Sequence, residues 1–310
     1  MAVPTHVRYH PRLMNRPQPS RALILGAFAI VYVVWGSTYL AIRIAIETVP
    51  PLLMAGTRFL LAGAALYLWA RMRGAARPGA AAVRGSAILG VLFLFLGNGG
   101  LVWAETRVPS GLAAVLVATV PLWAVLIERF RGAPAVRPMV WLGLATGLGG
   151  VALLMVPGGG GVAIDPVGAA VLVVASIIWA YGIVIARSLT LPDSGGVNAA
   201  VQMLVGGALL LVTGTLGGEW SSFQFAAVST RSLLGLGYLI VFGSLVAFSA
   251  FTWLLREAPP GRVATYAYVN PVVAVVLGWL IASEPFGPRE LAASAVIIAG
   301  VALIISVRKR

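Results

Sequence analysis

The sequence of 310 residues predicts an all-α membrane protein whose ten transmembrane helices form two inverted five-helix repeats. Three observations carry this. The chain is 60% hydrophobic and 10% charged, with a mean hydropathy of +0.96, far outside the range of soluble domains. Its apolar residues come in continuous runs of bilayer length, where a β-barrel would show ten-residue alternation. The chain also matches itself when slid along its own length.

A hydrocarbon core about 30 Å thick needs roughly 20 apolar residues per helix. Residues 1–21, basic and proline-rich, read as a disordered cytoplasmic tail. The first apolar run, Ala22–Arg43, is too long for a signal-peptide core and lacks a small-residue cleavage site, so it is expected to be retained. Helices two and three, Leu52–Ala70 and Gly85–Ala104, are joined by a loop carrying Arg71, Arg73, Arg77 and Arg84. Helices four and five, Ser110–Ile127 and Pro138–Val156, flank Arg129, Arg131 and Arg137. Residues 157–165 contain "GGGG" at Gly158–Gly161, which lacks the Gly-Lys-Ser/Thr of a phosphate loop and reads as a flexible link. Helix six, Pro166–Ala186, ends at Arg187; helix seven is Val197–Leu216. Helices eight and nine, Arg231–Leu254 and Arg262–Ser283, flank Arg256, and helix ten, Pro288–Val307, runs into the basic terminus Arg308, Lys309, Arg310.

Charge orients these helices. With the N-terminus in the cytoplasm, 17 of the 22 Lys and Arg fall on the inner side. Arg43, Arg58, Arg107, Arg231 and Arg289 remain for the outer side or the membrane. Such a bias places both termini inside. The net charge of +13 therefore serves orientation and implies no nucleic-acid partner. A single lysine among the basic residues, with abundant Ala and Gly, points to a GC-rich bacterial genome and to the inner membrane.

Several chemistries are disfavoured by composition. There is no cysteine, hence no disulfide, thiolate metal site or cysteine nucleophile. Both histidines, His6 and His10, lie in the tail, and no intramembrane pair of carboxylates is evident, so the convergent set of an enzyme is lacking. No cofactor or metal is expected. The expected partners are a small-molecule substrate and the lipid bilayer, and the chain is compatible with a monomer.

The repeat is explicit. "WGSTYLAIR" from Trp35 aligns with "WAYGIVIAR" from Trp179 at an offset of 144, which also puts Arg58 on Gln202. An offset of 150 then aligns Trp103 with Trp253, Pro121 with Pro271, and "GVALL" from Gly150 with "GVALI" from Gly300. The halves are 22–156 and 166–307. Five helices per half is odd, so the second half crosses in the opposite sense, the arrangement from which secondary transporters derive alternating access around a midplane site.

The segments "VYVVWGSTYLAIRIAIETVPPLLMAGTRFLLAG", "AETRVPSGLAAVLVATVPLW" and "YVNPVVAVVLGWLIASEPFGPRELAASAVIIAGVALI" resemble the EamA family of the drug/metabolite transporter superfamily over nearly the whole chain beyond the tail. The resemblance implies a ten-helix inner-membrane carrier exporting amino acids, related metabolites or drugs. One departure concerns the family's short "GE" segment after helices four and nine: "SEPF" stands around Glu284, but only "IERFRG" around Glu128.

Pro271 lies inside helix nine, where it cannot donate to the carbonyl of Ala267; its mate Pro121 stands in the same relation to Val117 in helix four. Matched breaks of this kind predict hinges at the repeat interface. Asn270 and Tyr266, four apart, share one face, with Tyr268 nearly opposite. A buried amide in the bilayer core faces inward, so the pair is expected to line a substrate cavity. Trp123 is the aromatic on the matching face of helix four. Tyr32, Trp35 and Tyr39 form a stripe on helix one, and Trp179 repeats Trp35; such rings suit planar or cationic solutes. Asn98 joins the expected substrate set from helix three. Glu105, on its outer end, is expected to pair with Arg43 or Arg58 and to hold an outer gate.

Overall fold

The computed structural model of the protein describes residues 19–108, 113, 116–134, 137–155, 165–282 and 288–306. These form helices and turns, with no strand among the described residues. In chain order, short turns of three or four residues apart, the helices among the described residues are α1 (Arg21–Ala45), α2 (Pro51–Met72), α3 (Ala80–Ala104), α4 (Val120–Phe130), α5 (Pro138–Met155), α6 (Pro166–Ile185), α7 (Gly195–Leu216), α8 (Thr230–Glu257), α9 (Tyr266–Ala282) and α10 (Pro288–Ser306). Among the described residues, α1, α2, α3, α6, α7 and α8 are long and apolar enough to cross a membrane. The N-terminal tail up to residue 18, the Gly158–Gly161 link, the stretch around Glu284 and the basic C-terminus lie outside the described residues.

Helix starts are chemically marked. Ser20, Asp165, Ser194 and Ser229 accept first-turn N–H groups from Leu23, Val167, Val197 and Ser232 at 3.2, 3.0, 3.3 and 3.0 Å, the usual answer to a helix's orphan donors. At α2 the residue before the helix is Pro50, which has no side-chain cap. Glu219, from the far half of the chain, accepts Leu52 N–H at 3.1 Å and Leu53 N–H at 2.8 Å instead. Its carboxylate thus sits at the positive end of the α2 dipole.

The halves are joined through glycines. A side chain at Gly56 would stand 2.7 Å from Leu211 N, one at Gly63 3.0 Å from Leu204 N, and one at Gly207 2.9 Å from Leu60 N. As the number rises along α2 it falls along α7, so these repeat-equivalent helices pack antiparallel with their backbones in contact. α5 and α10 do the same: Gly143 meets Ile304, Gly147 meets Gly300 and Gly150 meets Ile297. Small residues that admit close backbone approach are the usual means of helix association where lipid offers no hydrophobic gain. The remaining neighbours also come in equivalent pairs. α1 packs on α9 as α6 packs on α4, and α3 packs on α7 as α8 packs on α2.

Two features depart from the sequence expectation. First, α3 and α8 each contain a π-helical stretch, Gly90–Asn98 and Leu239–Phe248, at positions that the 150-residue offset makes equivalent. Such stretches are rare and concentrate at functional sites. Second, Pro121 is not a kink inside a continuous helix. A turn at Ala118–Thr119 interrupts the chain, and Pro121 lies at the start of α4, where its missing N–H has no helical acceptor to satisfy. Thr119 Oγ1 donates to Leu116 O at 2.6 Å across the break. Pro271 does lie inside its helix, α9; the chain breaks earlier, at Ala264–Thr265.

Candidate functional site

A cavity of about 70 Å³ lies between the two halves. On a scale where roughly 15 Å³ admits one water, this is room for a few waters. α1 contributes Trp35, Thr38, Tyr39 and Ile42, α2 contributes Arg58 and Phe59, and α3 contributes Leu94, Gly97, Asn98 and Leu101. From the second half come Ala175, Ser176 and Trp179 of α6, Gly243 and Phe248 of α8, and Tyr266 and Asn270 of α9. The α1, α2 and α3 residues lie toward the end of the bundle where α1 leads into α2, while those of α6 and α8 lie near mid-helix and Tyr266 and Asn270 near the start of α9.

The opposite side is closed by aromatic rings. Trp35 and its repeat mate Trp179 meet edge to face, with centroids 5.8 Å apart and planes at 79°. Tyr266 stands 4.9 Å from Trp35 at 80°. Phe251 contacts Trp35, Trp179 and Tyr266 at 4.9, 5.7 and 5.9 Å, and Phe93 contacts Trp179 at 5.0 Å. Edge-to-face pairs of this kind add about 0.5–1.5 kcal/mol each beyond burial. Trp35 Nε1 donates to Gly243 O at 3.2 Å, tying α1 to the π-helical part of α8.

The walls carry unanswered polar atoms. Arg58 Nη1, Asn98 Oδ1, Trp179 Nε1 and Asn270 Oδ1 are all buried and have no hydrogen-bond partner among the described residues. Tyr39 faces Asn270, and Tyr266 faces Trp179. Buried polar groups are normally satisfied; Arg58 Nη1, Asn98 Oδ1 and Asn270 Oδ1 stand around one space without a partner, and Trp179 Nε1 has the Tyr266 hydroxyl beside it.

Of the residues expected to bind substrate, the structure brings Trp35, Tyr39, Asn98, Trp179, Tyr266 and Asn270 to this cavity. Trp123 is not among its lining residues; its Nε1 donates to Thr119 Oγ1 at 3.0 Å, one turn back on its own segment. Tyr32 points away to the chain break, bonded to Thr265 Oγ1 at 2.6 Å. Tyr268 faces the other way along α9, packed against Gly147, with its hydroxyl 3.4 Å from Leu144 O.

The expected outer gate is not formed as a salt bridge. Both Glu105 carboxylate oxygens are buried without a hydrogen-bond partner among the described residues. They face Tyr39 and Arg43, and among the described residues no basic side chain forms an ion pair with them. Arg43 is exposed at the end of α1. The neighbouring charges are engaged elsewhere: Arg107 pairs with Asp165 at 3.6 Å, and Arg231 with Glu47 at 3.8 Å. Arg58 corrects the expectation most. It does not pair with Glu105 in an outer gate; it is 3% exposed and its Nε donates to Ser244 Oγ at 2.8 Å, because the α2 face it occupies turns toward α8.

Sequence reasoning missed Phe93, Phe251, Gly243 and Ser244. Phe93 and Gly243 are repeat mates, as are Leu94 and Ser244, and lie in the π-helical stretches. The offset could have flagged both pairs, because each joins residues of opposite character at one place in the fold.

The EamA-like transporter family model matches residues 22–156 and 166–306, and the chain belongs to this family. The inner-membrane transporter YedA of Escherichia coli strain K12, itself uncharacterized, is 40% identical over 282 residues, 91% of this chain and 90% of that one. The uncharacterized transporter YvbV of Bacillus subtilis is 27% identical over 94% of this chain and 93% of its own length. A probable amino-acid metabolite efflux pump of Salmonella typhimurium is 23% identical over 87% and 91%. A crystal structure 20% identical to the chain superposes with a TM-score of 0.74, covering 92% of this chain and 96% of that one; at that identity it shows the fold alone.

Proposed function

We propose that this EamA-family chain is a secondary carrier of the bacterial inner membrane that exports small metabolites by alternating access. It crosses the membrane ten times, as two inverted five-helix repeats with both termini cytoplasmic. Amino acids and related compounds, aromatic ones included, are its substrates. Trp35, Tyr39, Asn98, Trp179, Tyr266 and Asn270 contact them, and Pro271 serves as the hinge of α9.

The observation that carries this reading is the cavity, with its open hydrogen-bonding valences, between helices of both halves. A guest there is held by both repeats at once, so moving one repeat against the other changes which end it can reach. The ring cluster of Trp35, Phe93, Trp179, Phe251 and Tyr266 is the barrier on the closed side, and Glu105 with Arg43 and Tyr39 stands toward the other. The choice of amino acids draws on the Salmonella relative's description and on the aromatic walls, which suit planar side chains.

Reconstitution into liposomes tests the proposal. Counterflow of labelled amino acids, measured with and without a pH gradient, is expected to be saturable for at least one of them. Linear flux would make the protein a channel, and no flux across the panel would remove amino acids as the substrate class. Reporter fusions after each helix are expected to place both termini inside.

A further inference from the structure

We propose that Arg58 is the anion anchor of the cavity, and that the solute held there is a small monocarboxylate with an apolar body. The inference rests on the carrier reading for its setting, and on the geometry around one guanidinium for its content.

Arg58 lies seven residues after Pro51, at about 1.5 Å rise per residue some 10 Å along α2. It is buried. One edge is fixed: Nε donates to Ser244 Oγ at 2.8 Å. Cζ stands 4.7 Å from the centroid of the Phe59 ring. Nη1, by contrast, is buried, and among the described residues it has no hydrogen-bond partner and no carboxylate forms an ion pair with the side chain. A buried cation without a counter-charge is among the costliest arrangements a fold can keep. It becomes favourable when a guest supplies the anion, which a guanidinium binds by directed, charge-assisted hydrogen bonds.

The lining selects the kind of anion. Among the described residues that line it, Arg58 is the single basic one and none is acidic. A phosphate dianion would call for a second cation, whereas one carboxylate matches one guanidinium. The rest of the solute meets Trp35, Trp179, Phe248 and Tyr266, which ask for an apolar body and must draw apart to admit it, since the cavity as it stands holds a few waters. An amino group on the same solute would find acceptors at Asn98 and Asn270, whose Oδ1 atoms are unpartnered, but the carboxylate is the part that is required. Space for the guanidinium is kept by Gly243, where a side chain would begin 2.8 Å from Arg58 Nη2.

The test needs ligands of one shape and different charge. The purified full-length protein in lipid nanodiscs is titrated with 3-phenylpropionate, phenylalanine, phenethylamine and 3-phenylpropanamide, read by tryptophan fluorescence and by thermal shift. Both carboxylates should saturate at concentrations at least tenfold lower than the amine and the amide. Arg58→Gln should abolish that preference, Arg58→Lys should keep part of it, and Gly243→Ala should weaken it. Amine or amide binding as tight as the carboxylates, no saturable binding of either carboxylate, or wild-type carboxylate affinity in Arg58→Gln would each overturn the anchor. Should Arg58→Gln fail to fold, the wild-type ligand series still decides. Ser244→Ala, which removes only the hydroxyl that aims the guanidinium, then serves as the variant. Binding is read without transport. Carboxylate-selective binding with no saturable flux would therefore leave the anchor standing and sink the carrier; saturable flux indifferent to charge would do the reverse.

Discussion

The two ends of the cavity region are built from equivalent positions of the two repeats, yet one end holds space and the other holds rings. On the closed side Phe93 of α3 fills against Gly182 of α6, where a side chain would begin 2.5 Å from the Phe93 ring. The equivalent contact on the open side pairs Gly243 of α8 with Thr38 of α1, and the room left over is taken by the Arg58 guanidinium. The equivalents of Arg58 and Ser244 are Gln202 and Leu94. Gln202 is wholly buried, its Nε2 donating to Asn198 Oδ1 at 3.0 Å, and Leu94 packs against Gly206. Backbone symmetry thus sets up two matching places, and a few exchanges of size and polarity decide which one is a binding space. An inverted repeat can carry a one-sided site without any change of fold.

Exchanges at these positions should therefore move the balance between the ends. Phe93→Ala gives the closed end a small residue where the open end has glycine. It should cost about 3–5 kcal/mol of stability, the usual range for emptying a buried aromatic site, and raise the labelling of a cysteine introduced beneath the ring cluster. A thermal melt and a maleimide accessibility assay read the two effects. Unchanged labelling would mean that Phe93 is packing only.

The glycine seam that relates the halves is the next contrast. Gly56→Val drives a branched side chain into the α7 backbone and should cost about 1–3 kcal/mol, seen as a lower melting temperature. Gly149→Ala, on α5 with nothing within 4 Å of the added carbon, should be neutral or slightly stabilising. Equal effects at the two sites would deny the seam its role.

The paired prolines offer a contrast in function. Pro271→Ala restores an N–H that can close the α9 hydrogen bond to Ala267, and should slow counterflow about tenfold, which corresponds to roughly 1.4 kcal/mol. Pro121→Ala, at a helix start that requires no donor, should leave both flux and melting temperature within experimental error. A slower Pro121→Ala carrier would mean that the break at Ala118–Thr119 moves during transport.

The smallest expected effect belongs to the rim. Glu47 and Arg231 are 3.8 Å apart with side chains 42% and 67% exposed, and pairs of this kind contribute at most about 1 kcal/mol. Arg231→Gln should shift the melting temperature little, and less still at high salt.

The apolar runs located most of the helices and the repeat identified which of them are equivalents, because each is a linear property of the chain. Helix periodicity likewise placed Tyr266 and Asn270 on one side of α9 and Tyr268 on the other, as the structure has them. The cavity's outline was not legible in that way. Whether Arg58 reaches the rim or Ser244, whether Glu105 finds an arginine, and whether Pro121 kinks a helix or starts one all depend on which faces of distant helices meet. No periodicity within one segment encodes that. The π-helical stretches of α3 and α8 have the same origin: apart from Asn98 and Ser244 their residues are apolar or glycine, so the rotation they introduce is set by what they must pack against. The sequence alone determined the apolar segments and their repeat, since these follow from hydrophobicity and self-similarity residue by residue. Tertiary structure alone decided where the symmetry is broken, since a cavity is the space that several non-adjacent side chains together fail to fill.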